Sequence, residues 1–118
     1  MPTITDTRAP KMSVGAHRTQ HVLALHGVRL SIKCDELCGA TATGTVRIGR
    51  RSFVLARVVR QLGAHKRVKM TLKASRKTLR AIRAALRGHR GVTVKITVVG
   101  RDAAGNAGRA TRTVHATL

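Results

Sequence analysis

One stretch of strict alternation, residues 92–106, constrains the fold more than any other part of the chain. Apolar residues occupy every second position from 92 to 98, and Thr or Lys lies between them. This period of two is typical of a β-strand with one buried face. Gly105 and Asn106 follow, and both tolerate the positive φ of a tight turn. The stretch therefore predicts a long central strand over residues 92–101, with a partner strand on each side and a turn after it.

Three further segments alternate in the same way and are predicted as strands: residues 28–34, 38–48 and 68–73. Only three residues separate the first two, so we expect them to form an antiparallel hairpin. Strand 68–73 precedes the only segment with a helical period.

Weaker patterns complete the strand count. Residues 11–14 and 53–59 are candidate strands, and residues 107–118 form a last one in which Arg112 interrupts the inward-facing set. We expect a bulge or an edge position at Arg112. The short apolar run 21–26 predicts an edge strand or an extended connection.

The period changes between residues 76 and 87, where large apolar residues recur at i, i+3 and i+7. This spacing predicts an amphipathic helix, with Ser75 as its N-cap and Gly88 or Gly91 at its end. About seven short strands and one helix before the penultimate strand predict an all-β fold, an antiparallel β-sandwich of the immunoglobulin-like type.

The chain length of 118 residues fits one domain. Residues 1–10 are polar and contain both prolines, so we expect a disordered lead-in or linker. The sandwich domain is predicted over residues 11–118. Neighbouring domains are expected partners if the chain is a fragment of a larger protein.

Residues 94–106 form a penultimate strand that ends in Asp-Ala-Ala-Gly-Asn. This resembles the corresponding hairpin of immunoglobulin-like or fibronectin-type-III-like modules in secreted and cell-surface proteins of actinobacteria. Ala9-Pro10, the strand 28–34 with Cys38 after it, and the helix at 79–86 fit the same resemblance. It implies an extracellular spacer, stalk or adhesive unit with no catalytic residues and no cofactor.

The charge departs from that family, whose modules are often neutral or acidic. The chain has 24 Lys and Arg against 4 Asp and Glu, a net charge of +20. Such a field attracts anionic polymers, for which cell-wall and extracellular polymers are the candidate partners. The candidate anion-binding residues are Arg50, Arg51, Lys66, Arg67, Arg76, Lys77, Arg80, Arg83, Arg87 and Arg90. The alternative is that these residues only reflect an arginine-rich composition and lie on solvated faces without a binding role.

A second candidate partner is nucleic acid, bound through phosphate contacts as in other small basic proteins. The single Phe provides no stacking platform for single strands. No pair of helices is predicted that could act as a helix-turn-helix in the major groove.

Cys34 and Cys38 are the only cysteines. At the end of one strand and the start of the next, their Cα atoms can approach the separation of about 5.5 Å that suits a disulfide. The alternatives are two free thiols, or a zinc site that recruits His21 and His26. A disulfide favours an oxidising compartment, so extracellular or cell-surface localisation is expected.

Asp102 and Asn106 bracket the final turn. We expect Asp102 to accept backbone N–H bonds there, with Asn106 in a left-handed conformation. A calcium site is the alternative, although other carboxylates are nearly absent from the neighbourhood.

No catalytic or metal-binding constellation is apparent. The four carboxylates are Asp6, Asp35, Glu36 and Asp102, and no pair among them is placed for acid and base catalysis. The six histidines are scattered, as surface or loop residues are. The sequence predicts a non-enzymatic protein with no metal and no cofactor.

The apolar runs are far shorter than the ~20 residues of a membrane-spanning helix. The amino terminus also lacks the basic and apolar segments of a signal peptide. We therefore infer the extracellular location from the resemblance and the cysteine pair.

Overall fold

The computed structural model describes residues 10–117, which are mostly β-structure with two helices. The strands are β1 Met12–Gly15, β2 Thr19–Gln20, β3 Gly27–Cys34, β4 Cys38–Ile48, β5 Arg51–Val54, β6 Val58–Leu62, β7 Val68–Lys73, β8 Val92–Arg101 and β9 Ala107–Ala116. The helices are α1 Val22–Leu25 and α2 Arg76–Arg87. Residues 1–9, which cover most of the predicted lead-in, and Leu118 lie outside the described residues.

The strands form two sheets that share one apolar core. A three-stranded sheet has the order β1-β3-β7, and a six-stranded sheet has the order β2-β9-β8-β4-β5, with β6 also paired to β4. Val28 and Ile32 of the small sheet and Val94, Ile96 and Val98 of the large sheet are fully buried. This arrangement is compatible with an all-β sandwich.

Strand β8 has the predicted bounds and the predicted partners, because β4 and β9 pair with it on either side. The pairing of β9 with β8 is continuous through Arg112, so the prediction of a bulge there is wrong. β9 has a second neighbour only at His115 and Ala116, which leaves Arg112 at an edge position. The Arg112 Nε donates to the Val14 carbonyl oxygen at 2.9 Å.

The predicted hairpin of residues 28–34 and 38–48 is wrong. Strand β3 lies in the three-stranded sheet and β4 in the six-stranded sheet, so the intervening residues cross from one sheet to the other. Alternation shows that each strand has one buried face. It does not distinguish strands that pair side by side from strands that face each other across a core.

Two short apolar segments also differ from the prediction. The run 21–26 contains α1, a single helical turn, because four apolar residues fit a helix or a strand equally well. The candidate strand 53–59 is divided into β5 and β6 at Leu55. Leu55 is buried, and its N–H donates to the Gly44 carbonyl oxygen at 2.9 Å.

Helix α2 has the predicted bounds. The Ser75 hydroxyl accepts the Thr78 N–H at 3.2 Å as an N-cap, and Gly88 ends the helix. Ile82 and Ala85 are buried, and α2 packs against α1 and β8. The two helices thus lie at one end of the sandwich, together with Thr117 and the β4–β5 turn. We call this the helix end.

The opposite end is called the disulfide end. It contains Cys34 and Cys38, the loop 63–67 and the turn 102–106, which joins β8 to β9. Pro10 also lies there and is buried, and a Cβ on Gly108 would collide with its carbonyl oxygen. The ten residues of β8 span the distance between the two ends, about 30 Å at ~3.3 Å per residue.

The first strands of the chain cross from one sheet to the other. β1 pairs with β3, and after a short crossover β2 pairs in parallel with β9. The side chain of the buried Gln20 in β2 pairs with the part of β3 that β1 does not reach. Its Oε1 accepts the Arg29 N–H at 2.9 Å, and its Nε2 donates to the Arg29 carbonyl oxygen at 2.8 Å. One amide side chain therefore replaces a strand partner and ties the sheets together.

Candidate anion-binding surfaces

The cationic residues of α2 are displayed on its exposed face. Thr78, Ile82 and Ala85 are buried against the sandwich, which turns the basic positions outward. The exposed cations of the helix and of the segment after it are Arg76, Lys77, Arg80, Arg83, Arg87 and Arg90. All six predicted residues of this segment therefore face solvent at the helix end.

Arg50 and Arg51 belong to the same end. Ile48 pairs with both Arg51 and Val92, so the β4–β5 turn lies beside the segment that enters β8 from α2. The Arg51 guanidinium carbon lies 5.0 Å from the centre of the Phe53 ring, a cation–π contact.

Lys66 and Arg67 lie at the disulfide end, far from α2. The N–H of His65 in the same loop donates to the Cys34 carbonyl oxygen at 2.8 Å. Arg67 turns toward the three-stranded sheet, where its Nη1 donates to the Ser31 hydroxyl at 2.8 Å. The structure therefore divides the predicted anion-binding residues into two groups about 30 Å apart.

The carboxylates are confined to one end. Asp35, Glu36 and Asp102 are the three that residues 10–117 contain, and all of them lie at the disulfide end. Asp35 accepts the Lys11 backbone N–H at 2.8 Å through its Oδ1. The helix end, over the described residues, thus has a cationic surface with no carboxylate to offset it.

A further cationic surface was missed by the sequence analysis. The outward positions of β3 and β7 carry the cations Arg29, Lys33, Lys69 and Lys73, with the hydroxyls of Ser31 and Thr71 between them. Each residue follows the alternation, but they form one surface only because β3 pairs with β7. That pairing joins residues 36 to 46 positions apart in the chain, and no local pattern predicts it.

Cys34 and Cys38 form a disulfide, as predicted, with their Cα atoms 6.6 Å apart. The alternatives of free thiols and of a zinc site are therefore wrong. The bridge does not fasten a hairpin, since its two cysteines belong to opposite sheets. Both are buried, so it links the sheets from within the core.

The turn after β8 is organised by Asp102. Its Oδ1 accepts the N–H groups of Ala104 and Asn106 at 3.0 and 2.9 Å, as expected, and its Oδ2 accepts the Asn106 side-chain N–H at 3.2 Å. The left-handed residue is Gly105, with φ of 86°, so its assignment to Asn106 is wrong. Glycine takes this conformation without steric cost.

All six histidines are exposed, as expected. His26, His65 and His89 have positive φ and end a helix or a turn. No group of three or more His, Cys, Asp or Glu within residues 10–117 could hold a metal ion.

The fold and the disulfide define a β-rich sandwich with a cross-linked core. No family model matches the chain, and no curated protein is significantly similar to it. The resemblance to bacterial immunoglobulin-like modules therefore stays a prediction. In the described part of the chain, neither helix has the length and apolar character required to cross a membrane.

Proposed function

We propose that this chain is a non-enzymatic extracellular module of immunoglobulin-like type, structural or adhesive, which binds anionic polymers through its basic surface. The observation that carries the proposal is that cations occur at both ends, whereas the carboxylates of residues 10–117 occur at one end alone. Exposed cations without carboxylates cover the helix end, whereas the described carboxylates all lie at the disulfide end. Such a field attracts long polyanions.

The strand order supports the immunoglobulin-like type. The order β1-β3-β7 faces the order β9-β8-β4, which corresponds to strands A-B-E facing G-F-C. The chain departs from that pattern by placing α2 between β7 and β8.

The disulfide supports an extracellular location, because disulfides form and persist in oxidising compartments. The disulfide closes the short loop between the end of β3 and the start of β4, and it cross-links the two sheets within the core.

An acidic polysaccharide fits the surface better than a nucleic acid does. Recognition of single strands depends on aromatic stacking, and the one Phe already lies under Arg51. Readout of the major groove by a helix-turn-helix needs two helices, and α1 has only four residues.

Salt-dependent binding to chondroitin sulfate, duplex DNA, RNA and a neutral dextran tests the proposal. We expect chondroitin sulfate to bind and dextran not to bind, with an affinity that weakens as salt rises. Replacing Arg80, Arg83 and Arg87 with Gln should weaken chondroitin sulfate binding by about tenfold or more. The matched control replaces Arg60, Arg101 and Arg109, which removes three exposed cations at the disulfide end and should cost less.

Two outcomes would overturn the proposal. One is a sequence-selective DNA complex that survives physiological salt, which supports the nucleic-acid alternative. The other is equal binding of chondroitin sulfate and dextran.

A further inference from the structure

We propose that a cavity on the outer face of the three-stranded sheet binds one acidic sugar residue of an anionic polysaccharide. The cavity has a volume of about 670 Å³ and lies between the β1–β2 crossover and strands β3 and β7. It is separate from the cationic surface of α2. The inference rests on the proposed function for its ligand class and on local geometry for its position.

Gly15 lines the cavity and leaves it open because it has no side chain. Gly15 pairs with Ser31 at the end of β1, where the chain leaves the three-stranded sheet. A Cβ on Gly15 would stand 2.8 Å from the Ser31 hydroxyl and 3.1 Å from Nη1 of Arg67. A side chain at this position would therefore narrow the cavity and displace the Ser31 hydroxyl or the Arg67 guanidinium beside it.

Two cations and two hydroxyls line the cavity in alternation. Arg29 pairs with Thr71, and Lys69 pairs with Ser31, so each cation lies opposite a hydroxyl on the neighbouring strand. The two cations are therefore diagonal neighbours, whose positions are about 7–8 Å apart. One carboxylate or sulfate group placed between these long side chains can contact both cations. The Thr71 hydroxyl, and the Ser31 hydroxyl as a donor while it accepts from Arg67, can then bind the hydroxyl groups of a sugar.

The lining also excludes other ligands. No Phe, Tyr or Trp lines the cavity, so the His17 imidazole is the one aromatic ring available for stacking a nucleobase. No carboxylate lines it, which disfavours a cation. Its volume lies within the ~300–1,000 Å³ typical of small-ligand sites and accommodates a sugar residue with its neighbour.

A matched pair of double variants tests the site. Arg29→Ala with Lys69→Ala removes both lining cations, whereas Lys33→Ala with Lys73→Ala removes two cations from the same face outside the cavity. The probe is a chondroitin sulfate disaccharide, measured by calorimetry and by amide chemical shifts, with sodium sulfate and a neutral disaccharide as comparison ligands. Circular dichroism shows whether each variant is folded.

We expect 1:1 binding, with shift changes at residues 15–17, 29–31 and 69–71. The Arg29 and Lys69 variant should lose about tenfold or more in affinity, and the Lys33 and Lys73 variant less than about threefold. We also expect Gly15→Val, in a folded protein, to weaken the disaccharide without removing any charge.

Equal losses in the two double variants would overturn the site, because net charge alone would then explain binding. Shift changes confined to α2 would also overturn it while leaving the proposed function intact. Binding of sulfate as tight as that of the disaccharide would refute the role of the sugar hydroxyls. If neither chondroitin sulfate polymer nor disaccharide binds the wild-type protein, the proposed function fails with it.

Discussion

The two ends of the sandwich are closed by different means. At the disulfide end, a covalent bond between Cys34 and Cys38 joins the sheets. At the helix end, no described covalent link exists, and the sheets are held by the Gln20 amide and by α2 packed through Ile82. The helix end is thus held by apolar packing and hydrogen bonds, and the disulfide end by a cross-link between two strands.

The charge distribution follows from this difference. The turns at the disulfide end use carboxylates as acceptors, as Asp102 does for two backbone N–H groups. The helix needs no carboxylate, because Ser75 caps it and its buried face is apolar. The exposed face of α2 is therefore free to be wholly cationic, and the manner of closing each end decides where an anion can bind.

The largest effect is expected from Ile82→Ala at the helix end. Ile82 is fully buried, so its truncation leaves a cavity and should lower the free energy of unfolding by about 3 kcal/mol. Urea denaturation measures the change, and Arg83→Ala on the exposed face should change it by less than about 0.5 kcal/mol. A loss as small as that of the control would show that α2 contributes little to closing this end.

Replacing both Cys34 and Cys38 with Ala should lower the free energy of unfolding by about 2 kcal/mol, as expected from loop closure over a short segment. Because the two ends are far apart, this loss should add to that of Ile82→Ala within about 0.5 kcal/mol. Strong non-additivity in the combined variant would refute the independence of the two ends.

Gln20→Leu tests the polar link between the sheets. It leaves the Arg29 N–H and carbonyl oxygen without the Gln20 amide, which should cost about 1.5 kcal/mol in unfolding free energy. Hydrogen exchange at Arg29 should accelerate as well. Gln61→Leu, on the exposed face of β6, is the control, and equal losses in both variants would count against the link.

The smallest effect is expected from Asp102→Ala, at about 1 kcal/mol, because solvent can replace part of the acceptor in a turn. Asp102→Asn keeps an acceptor oxygen and should retain about half of that stability. Thermal denaturation of the two variants provides the measurement. An Asn variant no more stable than the Ala variant would show that the carboxylate charge, rather than its acceptor geometry, organises the turn.

The sequence predicts elements well where one period continues for ten residues or more. The bounds of β4, β8 and α2 agree with the prediction, because a period of two or of 3.6 is unambiguous over that length. Short apolar runs such as α1 contain too few residues to distinguish the two periods.

Pairing is the part that sequence does not predict. β3 and β4 each show a buried face, yet they lie across the core from each other, since alternation does not identify the strand alongside. The cations of α2, in contrast, are recognisable from the sequence because one continuous segment carries them. The cavity beside Gly15 is not, because three separate segments form it.

The crossover of β1 and β2 has a mechanical consequence. Pro10 lies at the disulfide end and Thr117 at the helix end, and β2 runs parallel to β9. A force pulling these two positions apart would slide β1 along β3 and β2 along β9. It would load in shear the hydrogen bonds from His115 N–H to Arg18 and from Thr117 N–H to Gln20. These bonds must break together before the strands separate, so the unfolding rate governs the resistance of the module to tension.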